Sequence, residues 1–213
     1  MSWDSSDPTK RRGYHHGNLR EALVEAALRL IGEKGPAGFT VAEAARAAGV
    51  SPAAPYRHFR DRDELMADIA RRGFEAFSIR LRAAWNQGQP NPRVALNRVG
   101  AAYLDFARHE PASYAAMFES GITMTCNPEL HAASEAAFAV LRDACEGVIA
   151  SMPAARRAPP LMVALHIWGL SHGIASLFAR GDASRRPLPM RAEDLLEAGV
   201  LVYLDGLESA SRS

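Results

Sequence analysis

Apolar residues recur at three- and four-residue intervals along almost the whole chain, interrupted by capping residues and by Gly or Pro breakers. That period belongs to α-helices with one buried face, and no alternating strand pattern accompanies it. Leu19, Leu23, Ala26, Ala27, Leu30 and Ile31 form the first stripe. Asn18 with Glu21 makes a capping box in front of it, and Gly35-Pro36 ends it. Thr40 with Glu43 starts a second, short helix that Gly49 closes. Ser51 reads as the cap of a third, with Pro52 in the first helical position, where its missing N–H costs least. Asp61 with Glu64 caps a fourth and longer one, whose stripe runs Met66, Ile69, Ala70, Phe74, Phe77, Leu81, Trp85. A breaker-rich loop at residues 86–92 follows, then helices carrying Leu96, Val99, Tyr103 and Phe106, and Leu130, Ala137, Phe138, Leu141, Cys145 and Val148. The last two helices cover roughly residues 161–179 and 191–207. The fold class is all-α, with about nine helices.

Those last two helices are apolar nearly all round, which implies burial on two sides, one of them against a partner subunit. Residues 161–178 contain no charged side chain, but the stretch is at the lower limit for a membrane span and carries His166, Ser171, His172 and Ser176. The reading is a buried helix and no membrane. Hydrophobic residues make up 48% of the 213 and charged residues 23%, enough apolar material for a sizeable core. Residues 1–10 lack the apolar core of a signal peptide, so a cytoplasmic location is expected. Cys126 and Cys145 are too few for a disulfide framework and fit no zinc spacing.

Three short capped helices near the front, with Gly49 in the turn and Ala44, Ala45 and Ala48 as a small packing face, read as a helix-turn-helix. The net charge of +1 argues against a polybasic nucleic-acid binder. Local charge is less even: Lys10, Arg11, Arg12 and Arg20, with His15 and His16 among them, meet no acidic residue between Asp7 and Glu21. Such an arm is suited to a DNA backbone or minor groove, and a solvated tail is the alternative. Up to residue 72 the chain has 12 basic and 10 acidic residues, so the positive charge is focused rather than abundant.

The run GFTVAEAARAAGVSPAAPYRHF over residues 38–59, followed by Arg62 and Leu65, resembles the helix-turn-helix of TetR-type transcriptional regulators. The resemblance extends over about residues 14–77. Further on, WGLSHG at residues 168–173 resembles the Trp…His-Gly signature of one C-terminal subgroup. The resemblance implies a basic arm at 1–16, a DNA-binding domain at 17–77 with its helix-turn-helix at about 39–59, and a regulatory and dimerising domain at 78–213. By position it assigns phosphate contacts to Thr40, Tyr56, His58 and Arg62, and a core role to Phe59. The base-reading positions fall on Ala42, Pro52 and Ala53, which offer no side-chain hydrogen bond, so recognition is left to thymine methyls, the arm or DNA shape. Pro55 removes a helical hydrogen bond, implying that the recognition helix is short or starts late. The DNA-facing set is therefore Lys10, Arg11, Arg12, Thr40, Ala42, Ser51, Pro52, Ala53, Ala54, Tyr56, Arg57, His58 and Arg62.

In the rear half, Tyr103, Phe106, Met117, Phe118, Met124, Phe138, Leu141, Cys145, Trp168 and His172 are candidates for an apolar ligand cavity, with core packing as the alternative reading of each. Leu165, Gly169, Gly173, Leu177, Leu196, Val200, Tyr203 and Leu207 are candidates for the dimer interface. His166 and His172 are six residues apart, which turns them some 120° away from each other at about 100° per residue, so metal binding is not expected. No phosphate loop, nucleophile elbow or Cys/His pairing with a mechanism is visible, so neither an enzyme nor a cofactor is expected. The implied function is a ligand-responsive regulator of double-stranded operator DNA: a homodimeric repressor released by a small apolar effector. A thiol-responsive regulator using Cys126, or an activator, is the alternative.

Overall fold

The computed structural model describes residues 19–124, 127–179 and 189–209. These residues form eight α-helices and short 3₁₀ turns, with no strand among them. The first helix, α1 (Leu19–Lys34), buries Leu23, Val24, Ala26, Ala27 and Ile31 and ends where Gly35 takes a left-handed φ of 78°. The second, α2 (Val41–Ala47), starts in the capping box read from the sequence: Glu43 N donates to Thr40 Oγ1, and Thr40 N donates to Glu43 Oε2. Lys34, hydrogen-bonded to Glu43, and the Thr40 backbone N–H hold the Glu43 carboxyl at about 2. The turn after α2 reaches Gly49 at φ 73°, a conformation that costs any residue with a Cβ.

The third segment of the front module is not the helix expected from a Ser51 cap. It is a single 3₁₀ turn over Ala54–Arg57, capped by Ala53 without a side-chain hydrogen bond. Pro55 has no N–H to carry an α-helix through this point, and its buried ring makes the turn start late. Ser51 offers only its carbonyl, to Ala54 N at 3.0 Å.

Asp61 then caps α3 (Arg62–Trp85), 24 residues and so about 36 Å long. Its first turns belong to the front module and its last turns to the rear. Behind it come α4 (Pro92–His109), α5 (Pro111–Phe118), α6 (Pro128–Ala150), α7 (Pro160–Ala179) and α8 (Ala192–Ser209). Asn91 and Asn127 cap α4 and α6, each with proline in the first helical turn. Around α3 pack α4, α5 and α6. At Gly73, α3 and α5 approach so closely that a Cβ would lie 2.8 Å from Met117 Sδ. One core runs continuously from Leu23 and Phe59 at the front to Val163 and Leu204 at the back.

Asp68, 5% exposed, ties α1 to α3. Arg20 of α1 donates to both of its oxygens, at 3.0 and 3.4 Å, while Arg71 and Arg72 of α3 donate at 2.9 and 3.0 Å. Arg72 also reaches back to Glu21 of α1, at 2.6 Å from Nη2 to Oε1. Burial pushes the Asp68 carboxyl up, but hydrogen bonds from Arg20 and Arg71 and the charge of Arg72 together hold it below its ordinary value.

Candidate DNA-binding face and rear cavity

Ala42, Ser51, Pro52, Ala53, Tyr56, Arg57 and His58 are all exposed, with Ala54 half-buried. Tyr56 is 59% exposed, which is not the position of a core tyrosine. Phe59 beside it is buried and stacks under the Arg20 guanidinium, 5.0 Å from centroid to carbon. Arg57 makes no ion pair among the described residues, and Arg60 is paired with Glu64 at 3.1 Å. Arg62 departs from a simple phosphate-binding cation. Its Nε donates to Phe39 O at 3.2 Å, a second nitrogen donates to Pro36 O, and the guanidinium lies 5.2 Å from the Phe39 ring centre. Arg62 thus fastens the α1–α2 turn to the start of α3. Lys10, Arg11 and Arg12 lie outside the described residues.

The later turns of α3 and the rear helices line a partly open cavity of about 550 Å³. Of the candidates read from the sequence, Tyr103, Met117, Phe118, Met124, Phe138, Leu141, Trp168 and His172 line it. Phe106 and Cys145 do not. Phe106 packs on Phe77 with ring centres 5.0 Å apart, and Cys145 is fully buried in the core. Burial alone pushes the Cys145 thiol up to about 12, far from a reactive thiolate. Cys126 lies outside the described residues. The sequence reading missed Phe74, Phe77 and Leu81 of α3 as wall residues, although their stripe was visible; nothing local distinguishes a stripe facing a void from one facing side chains.

A polar cluster interrupts the apolar wall. Tyr114 Oη lies 2.8 Å and Tyr103 Oη 3.0 Å from His172 Nδ1, and the two hydroxyls are 3.4 Å apart. Burial pushes both phenols up and the imidazole down, so all three groups are neutral near pH 7. The cluster joins α4, α5 and α7 at one point. Phe118 meets the edge of the imidazole at 5.1 Å, and Tyr114 stacks on it at 5.7 Å.

The outer surface of α7 and α8 is apolar and uncovered. Leu165, expected at the interface, and Trp168 are partly exposed but line the cavity. Leu161, Met162 and Leu177 are exposed on the outer side of α7, and Leu201 and Val202 on α8. Gly169 and Gly173 face open space there. Leu196 and Val200, expected at this interface, are instead buried in the chain's own core. Ion pairs Arg108–Glu193 and Arg93–Glu208 pin both ends of α8 along α4, and Leu196 fills the space above Gly100. That fixes which side of α8 turns inward. Tyr203 is half-buried, accepting or donating at 2.8 Å to His166 Nδ1, and Leu207 is half-buried as well. By length and hydropathy α7 is also the one candidate membrane span among the described residues, but a third of it is buried within the chain.

A helix-turn-helix module is joined through one long helix to a helical domain that carries a cavity. The chain belongs to the TetR family: "Tetracyclin repressor-like, C-terminal domain" matches residues 96–203, just over half of it, and "Bacterial regulatory proteins, tetR family" matches residues 23–69. It is a helix-turn-helix transcriptional regulator of that family. Among curated relatives, the HTH-type transcriptional regulator BetI of Rhizobium meliloti (strain 1021) is 49% identical over 47 residues, 22% of this chain and 23% of that one. BetI of Brucella canis is 38% identical over 77 residues, 36% of this chain and 39% of the relative. These matches therefore span well under half of the relatives' length. Among solved structures, a protein of unknown function from Rhodococcus sp. RHA1 is 27% identical with a TM-score of 0.75, covering 92% of this chain and 98% of that one. The TetR-family regulator PfmR from Thermus thermophilus shares the fold at 22% identity and a TM-score of 0.65, with 87% and 96% covered.

Proposed function

We propose that the chain is a cytoplasmic, homodimeric repressor that releases a near-palindromic operator when a small apolar molecule enters the rear cavity. The carrying observation is that one helix serves both ends. The first turns of α3 hold the α1–α2 turn through Arg62 and α1 through Asp68, and its later residues Phe74, Phe77 and Leu81 form cavity wall. A ligand that displaces α3 at the wall displaces the recognition turn with it. The uncovered apolar face of α7 and α8 supports a dimer in which these helices pair as a four-helix bundle, with two recognition turns about one DNA turn apart, about 34–36 Å. WGLSHG at 168–173 supports membership of the Trp-His-Gly subgroup, since its Trp168 and His172 both line the cavity.

On the DNA, Tyr56, Arg57, His58 and the Thr40 cap would contact phosphates, with Ala42, Pro52 and Ala53 against base edges. The arm at Lys10, Arg11 and Arg12 adds backbone or minor-groove contact. Selection of bound duplexes from a random DNA pool tests this reading. Enrichment of one inverted repeat by a dimer supports it; no enrichment over the starting pool refutes it.

A further inference from the structure

When all three groups are neutral, the Tyr103, Tyr114 and His172 cluster holds three protons of its own, two on hydroxyls and one on the imidazole, and the Trp168 indole N–H donates to the Tyr103 oxygen from outside it. Nδ1 lies within hydrogen-bond distance of both hydroxyls, and its shorter contact, 2.8 Å against 3.0 Å, is to Tyr114, which it pairs with either by accepting a proton or by donating its own. If it accepts from Tyr114, Tyr103 donates to the Tyr114 oxygen and the Nε2 proton is unspent. If it donates to Tyr114, Tyr114 donates to Tyr103 and the Tyr103 proton is unspent. Either tautomer leaves one donor over. With Nδ1 paired to Tyr114, its shorter contact, the unspent proton falls on His172 or Tyr103, both of which line the cavity, whereas Tyr114 is not among the lining residues.

The rest of the wall determines what can meet that donor. Among the described residues no Lys or Arg lines the cavity, and the one acidic residue there, Glu135, is exposed. Of the three serines on the wall, Ser134 donates to His131 O at 2.9 Å and Ser171 to Ile167 O at 2.8 Å, while Ser120, on the loop after α5 and apart from the cluster, accepts from Ile122 N at 3.4 Å. A carboxylate would be desolvated with no cation to compensate it, and a cation would meet a donor at the polar end.

We propose that the cavity selects an uncharged apolar molecule bearing one hydrogen-bond acceptor, of the ketone, ester or lactone kind, and that the His172–Tyr103 pair supplies the donor that recognises it. This rests on the reading of the cavity as the effector site and narrows the effector to one chemical class. An apolar ligand without an acceptor leaves the donor buried and unpaired. A matched acceptor therefore gains about tenfold in affinity.

Displacement of the neutral dye N-phenyl-1-naphthylamine from the full chain provides the test, with 2-decanone, decanoate and decyltrimethylammonium as competitors at pH 7.5. The ketone is expected to displace the dye at about tenfold lower concentration than either charged probe. In the Tyr103→Phe/His172→Phe variant the remaining Tyr114 hydroxyl is off the wall, and the ketone is expected to weaken about tenfold while the dye stays bound. Equal or tighter displacement by decanoate or the ammonium overturns the proposal, as does unchanged ketone binding in the variant. The ranking in the unaltered protein decides the matter even where the variant fails to fold. A chain that binds none of the four molecules refutes the cavity reading itself, a result distinct from a wrong ranking.

Discussion

Replacing Asp68 with asparagine keeps the shape of the side chain and removes the charge on which three arginines converge. Four hydrogen bonds are affected, two from Arg20 and one each from Arg71 and Arg72. Breaking a buried ion pair from one side costs about 3–5 kcal/mol. Water reaches these guanidinium side chains, which are 48%, 22% and 31% exposed, and Arg71 and Arg72 retain Glu75 and Glu21. That solvation reduces the loss to about 2–3 kcal/mol. For a chain of this size the melting temperature falls by about 5–10 °C. The difference should also depend on pH. Asp68 titrates below its unfolded value, so its contribution is fully present above about pH 4 and disappears as pH falls through its folded value. Urea unfolding of the Asp68→Asn variant followed by circular dichroism measures both. A loss under about 0.5 kcal/mol, or one that stays constant from pH 6 to pH 2, refutes the assignment of Asp68 as the anchor between α1 and α3.

Val202→Asp places a charge on the most exposed apolar side chain of α8 and should convert the dimer to a monomer in size-exclusion chromatography with light scattering; an unchanged mass shows that this face is not the interface. Tyr56→Ala removes an exposed ring and should weaken operator binding by about tenfold at unchanged melting temperature; a melting loss with intact DNA binding makes Tyr56 structural. Cys145 should resist iodoacetamide in the folded chain at pH 8 and react fully in urea; rapid modification of the native thiol contradicts its burial and high pKa.

The parts of this fold legible in the sequence are those whose causes are local. Thr40 with Glu43 and Asp61 with Glu64 each complete their hydrogen bonds within three residues, so helix starts could be read directly. Ser51 misled because the same signal was overridden by a proline four residues on. Helix α5 carries a start signal in Pro111 but no side-chain cap, and it begins two residues after α4 ends and is only eight residues long, so the sequence does not separate it from α4. Asp68 and its arginine partner on α1 are 48 residues apart, and Tyr103 and His172 are 69 apart; no spacing rule connects either pair. Helix α8 shows the limit of an apolar pattern. With Leu196, Val200, Leu201 and Val202 all hydrophobic, periodicity does not choose a face. The salt bridges to Arg93 and Arg108 on α4 do choose it, by holding Leu196 and Val200 inward.

Coupling between the cavity and the DNA-binding face is the claim on which the functional account depends. Fluorescence anisotropy of a labelled duplex, taken from the random-pool selection, measures it directly when operator affinity is compared with and without saturating 2-decanone. A coupling free energy of ordinary size lowers the affinity by about 5–150-fold, and by reciprocity the duplex weakens ketone binding by the same factor. Identical operator affinity with the cavity filled and empty would contradict the account, leaving α3 as a strut rather than a lever.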